Sequence, residues 1–496
     1  MSKTKRTAIT PTREQDYPKW YQEVIKAADL AENSVVRGCM VIKPWGCAIW
    51  EAIRNELDIK IKSTGHQNFY FPMFVPLSFL AKEAQHIDGF AKECAVVTHH
   101  RLEINEDNEL VPGGKLEEPL VIRPTSEAII GEAFSRWISS YRDLPLLGNQ
   151  WANVVRWEMR PRIFLRTSEF LWQEGHTAHA TKEEAIEEAE KMLEVYRQLS
   201  EDFLAIPVIL GEKTQNEKFP GADITYCLES MMQDKKALQA GTSHFLGQHF
   251  SKAFNIKYLS KNGVEEYTWT TSWGVTTRLI GSLIMTHSDD DGLVLPPKVA
   301  PTQIIIIPLI HKVENEENIM NYCKALNESF ASDIRVDIDL QNKTPGEKIW
   351  KWVKKGVPIR LEIGQKEIEK NSVFMARRDL ETSDKKLIDK DKFVNSAQSI
   401  LENIQKNLFD KAKKFLLENS FQANSREEFY KFFDKEEKQP GFISAYWIGD
   451  DETEKELKQK IKVTARCIPL SSKGKLGKCI FTGANDAKLT IFARAY

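Results

Sequence analysis

Residues 153–176, NVVRWEMRPRIFLRTSEFLWQEGH, constrain this chain more than any other stretch. Arg156 and Glu158 sit two apart in a strand-like run, a spacing that sends both side chains off one face. A short polar loop with Arg160, Pro161 and Arg162 follows. A second run then carries Arg166, Phe170 and Glu174 at four-residue intervals, with Trp172 and His176 alongside. Two arginines, a carboxylate and an aromatic ring on neighbouring segments can clamp a triphosphate and stack on its base. Taken alone, the same residues also read as a solvated charged hairpin, since clustered charges do not always mark a site. The rest of the chain bears on that choice. It holds neither G-x-x-x-x-G-K-[ST] nor G-x-G-x-x-G, so arginine clamps are its available means of holding a nucleotide.

At 496 residues the chain predicts about three domains of roughly 150 residues each. Lys and Arg number 69 against 71 Asp and Glu, a net charge of −2. Bulk charge therefore attracts no polyanion, and any nucleic-acid binding has to come from local patches. Seven cysteines without a C-x-x-C pair predict reduced thiols and a cytoplasmic setting. The basic start MSKTKRTAITPTREQ lacks an apolar core, so no secretory signal is expected. No apolar run approaches the roughly 18 residues of a membrane span, and no membrane association is expected.

Along the chain, residues 1–16 read as a mobile arm. Apolar residues then recur at helical spacing from Tyr17 to Ala31, with Asp16 as N-cap. A second helix through CAIWEAIRNELDIKIKS stops at Gly65 and leads into NFYFPMFVP, which Pro72 and Pro76 mark as an edge or interface strand. Residues 93–122 predict a hairpin turning at Gly113–Gly114. Thr125 or Ser126 caps the helix that follows, and residues 181–204 predict an acid-headed amphipathic helix. Pro296, Pro297 and Pro301 mark the strongest boundary. Beyond it, strands alternate with helices, which predicts a small, mostly parallel α/β domain. Lys-rich helical sequence and a last stretch of short strands at TARCIPL and LTIFARAY complete the chain.

The pattern R-x-E … R-x-x-x-F-x-x-x-E, at Arg156, Glu158, Arg166, Phe170 and Glu174, resembles motif 2 of class II aminoacyl-tRNA synthetases at every position. The Pro-rich stretch after the second helix resembles motif 1, the dimer strand. WGVTTRLIG resembles motif 3 with Arg278 as its arginine, although most of that motif's glycines and its preceding acid are replaced. Prolyl-tRNA synthetases carry such a Thr-Thr-Arg version. RPTSE (123–127), FLRTSEFLWQEGH (164–176), QAGTSHFLGQ (239–248), GLVLPPKVAP (292–301), KGVPIRLEIG (355–364) and Tyr496 extend the resemblance to that family from about Asp16 onward.

The resemblance implies an α+β fold: a class II antiparallel sheet flanked by helices (17–295), an α/β anticodon-binding domain (301–405) and a small α+β C-terminal extension (406–496). The C-terminal extension makes it similar to the archaeal and eukaryotic-like subtype, and the stretch between Arg156 and Arg278 leaves no room for an editing insertion. The activity implied is ATP-dependent ligation of L-proline to tRNA(Pro) by a homodimer, with Mg²⁺ on the ATP phosphates. Arg156 and Arg278 become the catalytic arginines. Arg156, Glu158, Arg166, Thr167, Phe170, Gln239, Thr242, Thr276 and Arg278 become the ATP site, with Gln239 touching the magnesium. Thr125, Glu127, Arg156, Trp172, Glu174, His176, Phe219 and His244 become the proline site.

Lys348, Arg360, Arg377 and Arg378 are the expected tRNA contacts, around a lysine-rich segment 343–356 with two tryptophans. On that reading, changing Arg378 weakens aminoacylation of tRNA and leaves adenylation intact. The alternative for the segment is an amphipathic helix burying Trp350 with its lysines snorkelling. Zinc is not expected. His176-x-x-His179 lacks a third ligand, and Ile448, Thr453 and Thr482 stand where zinc-binding relatives carry cysteines, leaving Cys479. Two other functions compete: a non-catalytic synthetase-like RNA-binding protein, which would be expected to have lost the phosphate arginines, and a free-standing editing hydrolase, for which no insertion exists.

Overall fold

The computed structural model describes residues 7–86, 93–310, 313–381, 383–434 and 440–496. At its centre the strands Leu146–Val155, Glu169–His179, Trp269–Thr276, Ala237–Gly247, Ile224–Met231 and Ile209–Glu212 lie side by side in that order. Each is antiparallel to the next. Alternation along Glu169–His179 divides its residues between two faces. Gln173, Gly175 and Thr177 point toward a helical layer, whereas Phe170, Trp172, Glu174 and His176 point into a cleft. Gly175 is required by this crossing: a Cβ there would lie 2.0 Å from the Trp273 ring.

The helical layer comprises Tyr17–Ala27, Pro44–Ser63, Lys182–Gln198 and Arg278–His287. The Asp16 carboxylate accepts from the Lys19 N–H, and Thr181 and Glu184 form a reciprocal capping box. Trp20, Val24, Ile53, Leu57, Met192, Tyr196, Trp273 and Leu283 share one buried core between layer and sheet. Each such side chain contributes about 1.5–3 kcal/mol by leaving water. This stripe, rather than intrinsic helix propensity, holds the layer in place.

Several local expectations change. The hairpin at 93–122 pairs Val96–Ile104 with Leu110–Ile122 and turns at 105–109, where Asn105 accepts from the Asp107 and Glu109 N–H groups. Gly113 and Gly114 lie inside the second strand, with Gly114 at φ +62°. The first motif strand ends at Val155, so Arg156 and Glu158 occupy the loop beyond it. Neither Thr125 nor Ser126 caps the helix Glu127–Trp137 with its side chain. The Thr125 hydroxyl donates to the Glu127 carboxylate, and that of Ser126 donates to Glu174. Of the expected mobile arm, residues 1–6 lie outside the described residues. Residues 7–16 are docked: Ile9 is 2% exposed and Arg13 bonds Asp290 and Gln233.

The second unit is a five-stranded sheet in the order Val336–Ile338, Ile304–Pro308, Ile359–Ile363, Ser372–Arg377, Lys385–Asp389. Its first two pairings are parallel and its last two antiparallel, so it is mixed rather than mostly parallel. The cause is chain length: residues 364–371 and 378–384 are too short for a parallel crossover. Ile304, Ile306, Ile359, Leu361, Phe393 and Leu401 form its core.

The 29-residue helix Lys390–Glu418 runs through the expected 405/406 boundary into the last unit, whose core gathers Phe429, Phe433, Trp447 and Phe492. Sequence reading missed how this unit attaches. Its strand Thr464–Pro469 pairs with Ile209–Glu212, joining both regions into one sheet of twelve strands.

Candidate active site

The cleft face of the central sheet encloses a cavity of about 560 Å³. Every residue expected to meet ATP or proline borders it. Of the expected ATP residues, Glu158, Arg166, Thr167, Phe170, Gln239, Thr242, Thr276 and Arg278 line it. Of the expected proline residues, Thr125, Glu127, Trp172, Glu174, His176, Phe219 and His244 line it. Arg156 contacts members of both groups. Its Nε donates to the Pro124 carbonyl at 2.7 Å, and its guanidinium carbon lies 5.8 Å from the Phe170 ring centroid and 5.4 Å from that of Trp172. Burial lowers its pKa, and the charges of Glu127 and Glu174 partly restore it.

Arg278 borders the cavity as the first residue of the helix Arg278–His287, at its positive dipole end, and its N–H donates to the Thr276 hydroxyl at 3.0 Å. Its Nε donates to the Leu165 carbonyl at 3.2 Å, fixing it beneath the motif loop. Burial, followed by the like charges of Arg166 and Arg156, pushes its pKa down to about 10. Among the described residues no carboxylate pairs with it, which is the state of a cation awaiting an anion. Arg166 is half exposed and approaches Glu158 at 4.0 Å. The Thr167 hydroxyl donates to the Glu169 carbonyl at 2.7 Å. Phe170 and Trp172 meet edge to face, with centroids 6.1 Å apart.

Another wall is a buried polar network. Glu174 accepts from Ser126 at 2.5 Å and from Gln150 at 2.8 Å, and its second oxygen lies 2.9 Å from His176 Nε2. Burial alone would raise the Glu174 pKa, but these partners, led by the His176 bond, hold it below its ordinary value. His176 behaves in reverse: burial pulls it down, and Glu174 and Glu127 raise it overall. His244 is pushed down to about 3 by burial and the nearby His176, and so stays neutral. Its Nδ1 lies 3.0 Å from the Thr225 hydroxyl, and its ring tilts against Phe219 at 4.6 Å. His176 and His179 sit three apart on a strand and take different partners, Glu174 and Thr177.

Sequence reading missed Ser126, Gln150 and Thr225, which orient these walls. It also missed Phe164, which borders the cavity at φ +63°. Ser126 and Phe164 were within reach, since they lie inside RPTSE and FLRTSEFLWQEGH; Gln150 and Thr225 carry no local signal.

The expected RNA contacts fare differently. Lys348 is buried and donates to the Asp339 carbonyl at 3.1 Å. Arg360 is 1% exposed. Arg377 bonds Asp379 through two nitrogens, at 2.9 and 2.7 Å. Arg378 is 3% exposed and grips Asp289 at 2.6 and 2.5 Å, with further bonds to the Val353 and Gly292 carbonyls. Lys348, Arg360 and Arg378 are therefore interior groups, and the expectation that they face RNA is corrected. Trp350, by contrast, is 39% exposed, whereas Trp352 is buried with its N–H on Asp339.

Comparison with known proteins agrees with this geometry. A model of the tRNA synthetase class II core domain (G, H, P, S and T) matches residues 113–287. An anticodon binding domain model matches residues 303–400, and a prolyl-tRNA synthetase C-terminal model matches residues 427–496. The chain is 58% identical to proline–tRNA ligase of Protochlamydia amoebophila and 56% identical to that of Paramagnetospirillum magneticum, over 100% of both chains in each case. It also resembles the crystal structure of prolyl-tRNA synthetase from Cryptosporidium parvum complexed with halofuginone and AMPPNP. That similarity has a TM-score of 0.90 at 40% identity, covering 99% of each chain. Cavity, sheet and full-length similarity converge: the chain belongs to the prolyl-tRNA synthetase family of class II aminoacyl-tRNA synthetases.

Proposed function

We infer that this chain activates L-proline with ATP to prolyl-adenylate and transfers the prolyl group to the 3′ end of tRNA(Pro). The observation that carries the reading is the seat of Arg156 in one cavity that also gathers Arg166, Arg278, Phe170 and the Glu174–His176 pair. A proline carboxylate oxygen attacks the α-phosphorus, and the Pα–O bond to diphosphate breaks in line. Arg156 lies where that carboxylate and the α-phosphate meet, and its charge offsets what develops there. Arg166 and Arg278 hold the outer phosphates, Phe170 supports adenine, and Glu158 and Thr167 meet its edge. Thr125, Glu127 and the Glu174–His176 pair surround the secondary ammonium, with Trp172, Phe219 and His244 as walls. The terminal hydroxyl of tRNA then attacks the adenylate carbonyl and AMP leaves.

Magnesium fits this cavity. Gln239 borders it with no side-chain hydrogen-bond partner among the described residues, so its amide oxygen is available. No group of three His, Cys, Asp or Glu suited to a metal occurs among the described residues, so the ion would arrive on ATP, with Gln239 as its protein contact. It would supply charge neutralisation at the phosphates. We assign no zinc to the last unit, where Thr453 is part of a helix capped by Asp450 and Cys479 joins the aromatic core. One bound equivalent of zinc after chelator washing would overturn that.

Chemistry is assigned to 17–295 and anticodon reading to the surface of 301–405, with exposed Trp350 as a stacking platform. We propose a homodimer joined over the stretch that resembles motif 1, where Tyr70, Phe74 and Leu77 are exposed. No helix among the described residues is long and apolar enough to cross a membrane. Seven free thiols favour a reducing, cytoplasmic setting. The test is proline-dependent ATP–diphosphate exchange: none from folded protein would favour a non-catalytic RNA-binding role.

A further inference from the structure

Behind the phosphate half of the cavity lies a cluster of charges that the reaction above does not use. Glu229 is 0% exposed on the strand Ile224–Met231. Lys213, which follows the strand Ile209–Glu212, donates to its Oε1 at 2.8 Å. Arg466, on the C-terminal strand Thr464–Pro469, grips both oxygens at 3.0–3.2 Å. The Lys213 ammonium also donates to the Arg466 carbonyl at 2.8 Å. One carboxylate between two cations leaves one positive charge uncompensated inside the protein. Such clusters are costly to bury and add little stability over well-packed apolar groups of similar volume.

Its position suggests what it does. Glu229 pairs directly with Gln239 across the sheet, so the two side chains leave the same face. A bulge at Ala240, opposite Leu228 and Glu229, re-aims the strand of Gln239 at this point. Gln239 borders the cavity, as does Glu217, whose charge reaches Arg466. Arg278, which also borders the cavity, lies within electrostatic reach of Glu229 and Arg466.

We propose that Arg466 of the C-terminal unit is a positioning residue for adenylation: by clamping Glu229 with Lys213 it fixes Gln239 and Arg278, and so the phosphate half of the cavity. The C-terminal unit thereby becomes part of the ATP site without touching ATP. This inference rests on the functional reading above, and wild-type exchange separates the two. If wild-type protein shows no exchange, the functional reading itself fails. If wild-type protein is active, the test is exchange by full-length Arg466→Met, Glu229→Gln and Arg466→Lys, with KM resolved for each substrate. Arg466→Met and Glu229→Gln should each raise the ATP KM about tenfold or more while leaving the proline KM within about twofold. Arg466→Lys should recover much of that loss. Arg494→Met serves as a structural control, because Arg494 bonds the Ile461 and Phe433 carbonyls inside the same unit. It should lower the melting temperature with no ATP-specific shift. An unchanged ATP KM in folded Glu229→Gln, equal shifts in both substrates, or the same ATP shift in Arg494→Met would overturn the proposal.

Discussion

Arg278 in the catalytic cavity and Arg360 in the five-stranded unit are both buried guanidinium groups that desolvation pushes down to about 10. Both look like functional arginines when judged by that shift. Arg278, however, borders 560 Å³ of open volume at a helix N-terminus, whereas Arg360 is sealed in mid-strand with Nε and Nη2 unpartnered. Arg156 and Arg378 make the same contrast. Arg156 spends one bond on a carbonyl and keeps the rest of its guanidinium toward the cavity, while Arg378 commits its donors to Asp289 and two carbonyls. A perturbed arginine marks a site only where an anion has room beside it.

The largest effect that could break this contrast comes from Arg156→Ala. Exchange should fall by about a thousandfold or more with the fold intact, as when a preorganised charge is removed from a developing anion; near-normal exchange would leave Arg156 no better than a structural arginine. Arg378→Ala should do the reverse. It strips Asp289 of its partner and lowers stability by about 2–4 kcal/mol, toward the low end because Asp289 keeps some water. Urea midpoints read this loss, and aminoacylation and exchange should then decline together. A stable variant impaired only with tRNA would restore Arg378 as an RNA contact.

Phe170→Ala should cost about 1–3 kcal/mol of ATP binding, read as a raised ATP KM with proline unaffected. A proline-only change would put the ring in the other half of the cavity. The smallest effect is a pH dependence. His176 has a raised folded pKa, so its stabilising contribution is complete below the unfolded value of about 6.5 and is lost as pH climbs through the folded value. The stability difference between wild type and His176→Asn should therefore be greatest in mildly acid solution and shrink toward alkaline pH. A difference that widened with pH would mean the ring sits neutral beside Glu174.

The hairpin was legible because its information is local. Phe170, Trp172, Glu174 and His176 alternate along one strand, and period two alone predicts that they share a face. The interior roles of Lys348 and Arg378 were not legible. Arg378's carboxylate lies 89 positions away on the linker after Ser288, and no spacing rule links the two. Gly113–Gly114 misled for a related reason. A glycine pair signals a turn or a bulge equally well, and the stronger turn was set by the Asn105 side chain accepting from the Asp107 and Glu109 N–H groups. The mixed sheet at 304–389 follows from loop lengths that were visible, but alternation of strand and helix spoke louder.

The pairing of Ile209–Glu212 with Thr464–Pro469 has a consequence for biosynthesis. A ribosome releases the N-terminal strands long before their neighbour exists: Lys213 waits 253 residues for its bond to the Arg466 carbonyl. Until then one sheet edge presents unpaired N–H and C=O groups, the template on which strands of other chains add. The enclosure of Glu229 is likewise incomplete. Closure of such a distant contact is slow and comes late. The nascent chain therefore passes through a stage in which the helical layer can form while the sheet remains open on one side. Chains truncated before residue 464 should be trapped at that stage and aggregate through the exposed edge.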